Sequence, residues 1–143
     1  MIKAVCEITE RAITRRILVA EDNKTIQEMV FRFLKHMGLE VALADNGVEA
    51  LAVFQKSCFD LVLSDFQMPV MDGFSLAGHI KKRSPGTPVI MMTGSDRETV
   101  RQKMDKGAVE SVLFKPFKLE DLRRAVQGVL ASREREHGSP WPG

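Results

Sequence analysis

Four apolar segments of the sequence each end at, or are followed directly by, residues that can take part in chemistry. Glu21 and Asp22 follow "RILVA", Asp65 follows "DLVLS", Thr93 ends "PVIMMT" and Lys115 follows "VESVLF". A carboxylate at the end of a segment suited to burial must be paired with a cation, neutralised by protonation or used in binding or catalysis. The question is therefore whether these five side chains meet, and what chemistry they would support together.

Electrostatics indicate what such a cluster would bind. Two carboxylates ~4 Å apart repel by about 4 kcal/mol at an effective dielectric constant near 20. Lys115 supplies only one positive charge against Glu21, Asp22 and Asp65, so a further cation is expected. Carboxylate and water oxygens suit Mg²⁺ better than zinc or copper. With a phosphate bound by such a metal, Lys115 and the Thr93 hydroxyl, Asp65 could act as the nucleophile of a phosphoryl transfer and form an aspartyl phosphate.

The fold that would bring these residues together follows from the alternation of apolar runs with segments of helix length. Near-continuous apolar strands separated by helices predict a parallel sheet covered on both faces, that is, an α/β, doubly wound sandwich of five βα units. In such sheets function lies at the carboxyl ends of the strands. The predicted strands are 16-20, 40-44, 60-64, 88-93 and 109-114.

Helices are expected between the runs. Apolar residues recur at helical spacing in the first and last of these segments, and 47-57, 73-83 and 96-106 complete the set. The recurring residues are Ile26, Met29, Val30, Phe33 and Met37 in the first helix, and Leu119, Leu122, Val126 and Val129 in the last.

Three other aspartates have simpler interpretations than catalysis. Asp60 opens its strand at the opposite end of the sheet, and Asp72 and Asp45 each precede a predicted helix, where an aspartate commonly caps the amino terminus. Asp65 is left as the carboxylate without a structural role.

Length and charge restrict the class of protein. The 143 residues suit one domain, and 21 Lys and Arg against 19 Asp and Glu give a net charge of +2, which is too balanced to indicate a nucleic-acid surface. No apolar run approaches the ~20 residues that span a bilayer, and the amino terminus carries charges where a signal peptide is apolar. We expect a soluble cytoplasmic protein that binds neither membrane nor nucleic acid directly. The expected units are an N-terminal extension (1-15), one domain (16-131) and a flexible C-terminal tail (132-143).

Four motifs, in order along the chain, resemble those of the receiver domains of bacterial two-component response regulators. They are "AEDN" after the first strand, "LSDFQMPVMDG" around Asp65, "MMTG" at Thr93 and "FKPF" at Lys115. The similarity extends from about Arg16 to Leu130. It implies a flavodoxin-like (βα)5 sandwich with strand order 2-1-3-4-5.

The resemblance also implies a Mg²⁺ site. Its ligands would be the carboxylates of Asp22 and Asp65 and the backbone carbonyl of Gln67, with Glu21 acting through water.

The same resemblance implies which residues would bind a transferred phosphoryl group. Asp65 would be the phosphoacceptor, the Thr93 hydroxyl would follow the phosphoryl group, and Lys115 would be its countercharge. One position departs from the family pattern, because Val112 stands three residues before the lysine, where an aromatic ring often takes part in the switch.

The implied function is a phosphorylation-dependent signalling switch of a two-component phosphorelay. A histidine kinase or a histidine phosphotransfer protein would donate the phosphoryl group, and an unknown downstream protein or output domain would receive the signal. Such a switch catalyses only its own phosphorylation and dephosphorylation, and it allows a homodimer. The chain would be a single-domain regulator or the receiver part of a longer protein.

Three alternatives use the same fold class differently. A Mg²⁺-dependent phosphatase of the haloacid-dehalogenase type should have a second acidic residue two positions after the nucleophile, where this chain has Gln67. A flavodoxin-like cofactor carrier should offer N-H groups to a phosphate in its first loop, whereas Glu21 and Asp22 would repel one. A receiver that acts without phosphorylation would not need the complete acidic site.

Overall fold

The computed structural model of the chain describes residues 14-94, 96-104 and 107-136. These residues form five strands and five helices that alternate along the chain, as predicted. The last helix continues through the boundary expected at residue 131. The elements are β1 (Arg16–Ala20), α1 (Lys24–His36), β2 (Glu40–Ala44), α2 (Gly47–Lys56), β3 (Leu61–Asp65), α3 (Gly73–Arg83), β4 (Val89–Thr93), α4 (Arg97–Met104), β5 (Ser111–Phe114) and α5 (Leu119–Glu136).

All five strands are parallel and lie in the order β2-β1-β3-β4-β5. Ala20 of β1 is in register with Ser64 of β3, so Glu21 and Asp65, one residue further on, lie level with each other. Thr93 at the end of β4 is in register with Phe114 of β5. The predicted fold class and strand order are therefore confirmed, and the reactive strand ends share one edge of the sheet.

Two apolar layers sandwich the sheet. Helices α2 and α3 bury Phe54, Leu76 and Ile80 on one face. Helices α1 and α5 bury Leu34 and Leu122 on the other face. The strands contribute side chains alternately to both layers, which explains why their sequences are largely apolar.

The buried stripe of α1 differs from the sequence pattern at two positions. It consists of Gln27, Val30 and Leu34, whereas Met29 is 38% exposed. A polar side chain thus occupies a core-facing position of the helix, and a methionine faces outward.

The amino-terminal helix caps confirm the capping role predicted for one aspartate and contradict the role predicted for another. The Asp72 carboxylate accepts a hydrogen bond from the Ser75 backbone N-H at 2.8 Å, so Asp72 caps α3 as predicted. The prediction for Asp45 was wrong. The side chain of the following residue, Asn46, caps α2 by accepting from the Glu49 N-H at 2.8 Å, because only Asn46 lies three residues before that donor.

Backbone strain is located at Val70, in the turn between β3 and α3. Its φ is +72°, a left-handed conformation that is unfavourable for a β-branched residue, and its side chain is 88% exposed. Asparagine tolerates this conformation and costs little buried surface here. We expect Val70→Asn to raise the free energy of unfolding by about 1 kcal/mol, measured by urea denaturation.

The matched control is Val48→Asn, because Val48 is 49% exposed and lies at the start of a regular helix. That variant should be neutral or slightly destabilising. Equal effects of the two substitutions would show that the turn stores no strain at Val70.

None of the helices in the described part of the chain combines the length and the apolar composition that a membrane span requires.

Candidate functional site

Three carboxylates meet at the carboxyl edge of the sheet. One oxygen from each of Glu21, Asp22 and Asp65 lies within 4.8 Å of the others. Glu21 is fully buried, Asp65 is 6% exposed and Asp22 is exposed. The cluster is thus most open to solvent at Asp22, and the structure brings together the three carboxylates that the sequence analysis placed at this edge.

Lys115 extends from the end of β5 into this cluster. Its Nζ donates hydrogen bonds to Glu21 Oε1 and to Asp65 Oδ1, each at 3.1 Å. Four-fifths of the lysine side chain is shielded from solvent. One ammonium therefore bridges two buried carboxylates, as a countercharge at this edge should.

Burial and mutual repulsion disturb the ionisation of these groups. Burial, and next the charge of Asp65, raise the pKa of Glu21 above its usual range. Burial likewise raises the pKa of Asp65, where the Asp22 charge adds to the rise and Lys115 opposes it. For Lys115, burial alone would lower the pKa, but its hydrogen bonds and ion pairs with Glu21 and Asp65 raise it. The ionised site is thus short of positive charge.

The turn after β3 holds Asp65 closely. The Gln67 backbone N-H donates to the Asp65 carboxylate, and the Gly73 N-H donates to the Phe66 carbonyl at 2.8 Å. A Cβ at Gly73 would lie 2.3 Å from the Asp65 carbonyl oxygen and 2.5 Å from Met91 Sδ. Only glycine therefore allows the start of α3 to pack directly behind Asp65.

The turn after β1 holds Glu21 in a similar way. The Asn23 N-H donates to Glu21 Oε2 at 3.1 Å, while the Asn23 side chain caps α1 by accepting from the Ile26 N-H at 3.0 Å. The same asparagine thus begins the helix and orients the glutamate that precedes it.

Thr93 lies at the same edge and is fully buried. Its carbonyl accepts from the Lys115 N-H at 2.7 Å, which links the ends of β4 and β5. Phe114, its partner in the register, is covered by the Arg97 guanidinium, 4.2 Å from the ring centre. Val112 lies two residues earlier and packs against the α2-α3 layer, so the aromatic ring beside Thr93 belongs to position 114.

The donor set fits Mg²⁺. Three carboxylates converge here, while one ammonium, Lys115, pairs with Glu21 and Asp65, so the ionised cluster carries an excess of negative charge. Oxygen ligands with room for water on an exposed side are those that Mg²⁺ prefers. Asp22 and Asp65 would hold the ion directly, and Glu21, already bound to Lys115 and Asn23, is better placed to act through water.

Asp60 lies outside the site, as predicted. Its Oδ2 accepts from the Arg16 N-H at 2.8 Å at the start of β1, the opposite edge of the sheet. This buried aspartate is therefore structural.

Sequence reasoning missed two residues that support the site, Asn23 and Gln27. Gln27 had a detectable signal, because it is a polar residue in the apolar stripe shared with Val30 and Leu34. Asn23 stands where a cap is expected, but its second contact, to Glu21, depends on the conformation of the turn and could not be seen in the sequence.

Comparison with known proteins agrees with this geometry. Residues 17–127 match the family model described as "Response regulator receiver domain". The chain is 32% identical over 128 residues to the response regulator MprA of a Mycobacterium species, an alignment that covers 89% of this chain and 55% of MprA. It is also similar to the structure of the chemotaxis protein CheY4 of Vibrio cholerae, with 35% identity, a TM-score of 0.77 and coverage of 81% of this chain and 98% of CheY4.

A second structural relative carries ligands. The response regulator TrrA of Thermotoga maritima, solved in complex with Mg²⁺-BeF, is 30% identical and has a TM-score of 0.74, with coverage of 81% of this chain and 99% of TrrA.

The fold, the acidic edge and these matches together define the class: the chain belongs to the response regulator receiver family and is a receiver domain of two-component signalling. It spans only part of the length of curated relatives, from 11% of a hybrid histidine kinase of Dictyostelium discoideum to the 55% of MprA.

Proposed function

We propose that Asp65 accepts a phosphoryl group in a Mg²⁺-dependent reaction and that this modification switches the domain between signalling states. The supporting observation is the arrangement around Asp65, which is buried beside Glu21 and Asp22 and bridged by Lys115. An aspartate in this setting has a countercharge and the ligands for a metal, which are the main requirements of phosphoryl transfer.

The covalent step conserves atoms and charge. An oxygen of Asp65 forms a bond to phosphorus while phosphorus loses its bond to the donor, and the bonding electron pair leaves with the donor group. For a phosphohistidine donor, that pair returns to the imidazole nitrogen. Mg²⁺, when bound, would neutralise charge on the transferring oxygens.

The residues of the chain provide the rest of the chemistry. Lys115 already contacts Asp65 Oδ1 and would pair with the added phosphoryl oxygens. Thr93, buried at the adjacent strand end, would offer its hydroxyl to another of them. The backbone carbonyl of Gln67, in the turn that follows Asp65, would complete the metal ligands, as the resemblance to receiver domains implies.

The physiological donor in this proposal is a histidine kinase or a histidine phosphotransfer protein in the cytoplasm, and residues 16-131 form the acceptor domain. The downstream partner is a protein or an output domain that distinguishes the phosphorylated surface from the free one. The domain modifies only itself and turns over no other substrate.

The test uses intact-mass measurement after incubation with Mg²⁺ and acetyl phosphate. The protein should gain the mass of one phosphoryl group. Asp65→Asn should abolish this gain, because a neutral amide oxygen is a much weaker nucleophile than a carboxylate. The matched control is Asp72→Asn in the same loop, where asparagine still caps α3 and labelling should persist. Undiminished labelling of the Asp65→Asn protein would contradict the proposal.

A further inference from the structure

Gln27 on α1 is a buried amide at the back of the acidic edge. It is 6% exposed, and its Nε2 donates to the Glu21 backbone carbonyl at 2.8 Å and to Asp45 Oδ1 at 2.9 Å. The amide group thus joins the carboxyl end of β1 to the carboxyl end of β2. A buried polar group with two such contacts is costly to remove, because the Glu21 carbonyl would lose this donor.

With the bond from Gln27, every polar group of Glu21 has a hydrogen-bond partner. Its backbone N-H donates to the Ala44 carbonyl at 3.1 Å, its Oε1 accepts from Lys115 and its Oε2 accepts from Asn23. The bond from Gln27 holds the remaining polar group, the carbonyl. That carbonyl belongs to the peptide unit shared with Asp22, so Gln27 fixes the backbone from which the exposed Asp22 carboxylate extends.

Asp45 gives the amide a firm anchor. Its carboxylate also accepts from Lys24 Nζ at 2.6 Å, and these hydrogen bonds from Lys24 and Gln27 lower the pKa of Asp45. The Asp45 carboxylate therefore remains ionised at neutral pH. Its ion pair with Lys24 at the surface holds the hydrogen-bond acceptor of the Gln27 amide in place.

The chemical type of the side chain matters at this position. An amide supplies two N-H donors without net charge. A carboxylate here would add to the repulsion among Glu21, Asp22 and Asp65, and a cation would compete with a bound metal. A neutral donor is the type of group that fixes this backbone and leaves the charge of the site unchanged.

We propose that Gln27 is a positioning residue for Mg²⁺, acting through the Glu21 carbonyl to hold Asp22 in the ligand geometry. This inference rests on the proposed Mg²⁺-dependent function of the acidic edge. Residues that orient metal ligands commonly change metal affinity by about 10- to 100-fold when replaced.

The experiment measures Mg²⁺ affinity by calorimetric titration of the unphosphorylated full chain, well below its melting temperature. Gln27→Met keeps the length and helix preference of the side chain but removes both donors, and it should weaken Mg²⁺ binding about 10-fold. Ile80→Val is the matched control for stability, since Ile80 is fully buried in α3 and this change costs about 1 kcal/mol in a core. Its Mg²⁺ affinity should equal that of the wild type.

A second variant changes an exposed residue, so its result does not depend on whether the buried core accepts a substitution. Asp45→Ala removes the exposed anchor of the amide and should weaken Mg²⁺ binding in the same direction but by less, since the Gln27 bond to Glu21 remains. Wild-type affinity in both Gln27→Met and Asp45→Ala would overturn the positioning role and leave the Mg²⁺ site intact. A wild-type protein that binds no Mg²⁺ would overturn both this role and the proposed function.

Discussion

Replacing Lys115 by methionine is expected to slow phosphorylation of Asp65 about 100-fold, the loss typical of removing one preorganised charged donor from a reacting group. The ammonium contacts both Glu21 and Asp65 at 3.1 Å and is the one cation that bridges these two acids among the residues described. Without it, the negative charge that accumulates on the phosphoryl oxygens would lack a protein countercharge. The rate should be followed by intact mass over time with acetyl phosphate at saturating Mg²⁺.

The same substitution should lower stability, because it leaves two buried carboxylates without their ion pair, a change that costs about 3–5 kcal/mol in buried pairs. Lys118→Met is the control, since it also removes one positive charge three residues away but from an exposed side chain. It should change neither rate nor stability appreciably. A Lys115→Met protein that is phosphorylated at the wild-type rate would show that the lysine plays a structural role and does not assist the transfer.

Replacing Asp22 by asparagine is expected to weaken Mg²⁺ binding by about 100-fold or more, since loss of a direct ligand should exceed the effect of residues that merely orient one. The physical basis is the charge imbalance of the site. Burial first, and next the charge of a neighbouring carboxylate, raise the pKa values of Glu21 and Asp65 in the folded state, so the folded protein binds these protons more tightly than the unfolded chain does. Their contribution to stability is present at low pH and is lost as the pH rises through the folded-state values.

At neutral pH, therefore, Mg²⁺ should raise the melting temperature of the wild type, because a ligand that binds only the folded state stabilises it by mass action. The Asp22→Asn protein should show no such rise at the same Mg²⁺ concentration, and without Mg²⁺ it should be at least as stable as the wild type, since one repelling charge is gone. Glu28→Gln, which removes an exposed carboxylate from α1, should respond to Mg²⁺ as the wild type does. A rise of equal size in the Asp22→Asn protein would place the metal elsewhere.

The fold could be predicted because the physics of parallel sheets is local and repetitive. Strands buried on both faces must be largely apolar, and "LVLSD" and "VIMMT" therefore stand out between amphipathic helices. Once the strands are parallel, Asp65 and Thr93 must lie at one edge, whatever the details of the turns. This is why the candidate site followed from the same few segments as the fold.

The turns and the supporting contacts could not be predicted in the same way. Adjacent polar residues compete for a capping position, and the choice of Asn46 over Asp45 depends on backbone dihedral angles that the sequence does not display. The left-handed conformation of Val70 contradicts its residue type, so no local rule would place it there. The contact from Gln27 to Glu21 requires the spatial relation of α1 to β1, which exists only in the folded molecule.

The ion pair between Glu21 and Lys115 joins residues that are 94 positions apart in the chain. Contacts of such high sequence separation require closure of a long loop and form only when much of the chain is already ordered. The acidic site is consequently a product of late folding, since β1, β3 and β5 must all be in place before the ammonium reaches both carboxylates. A nascent chain still lacking β5 would present Asp65 without its countercharge, so the complete acidic site forms only after β5 has joined β1 and β3 in the sheet.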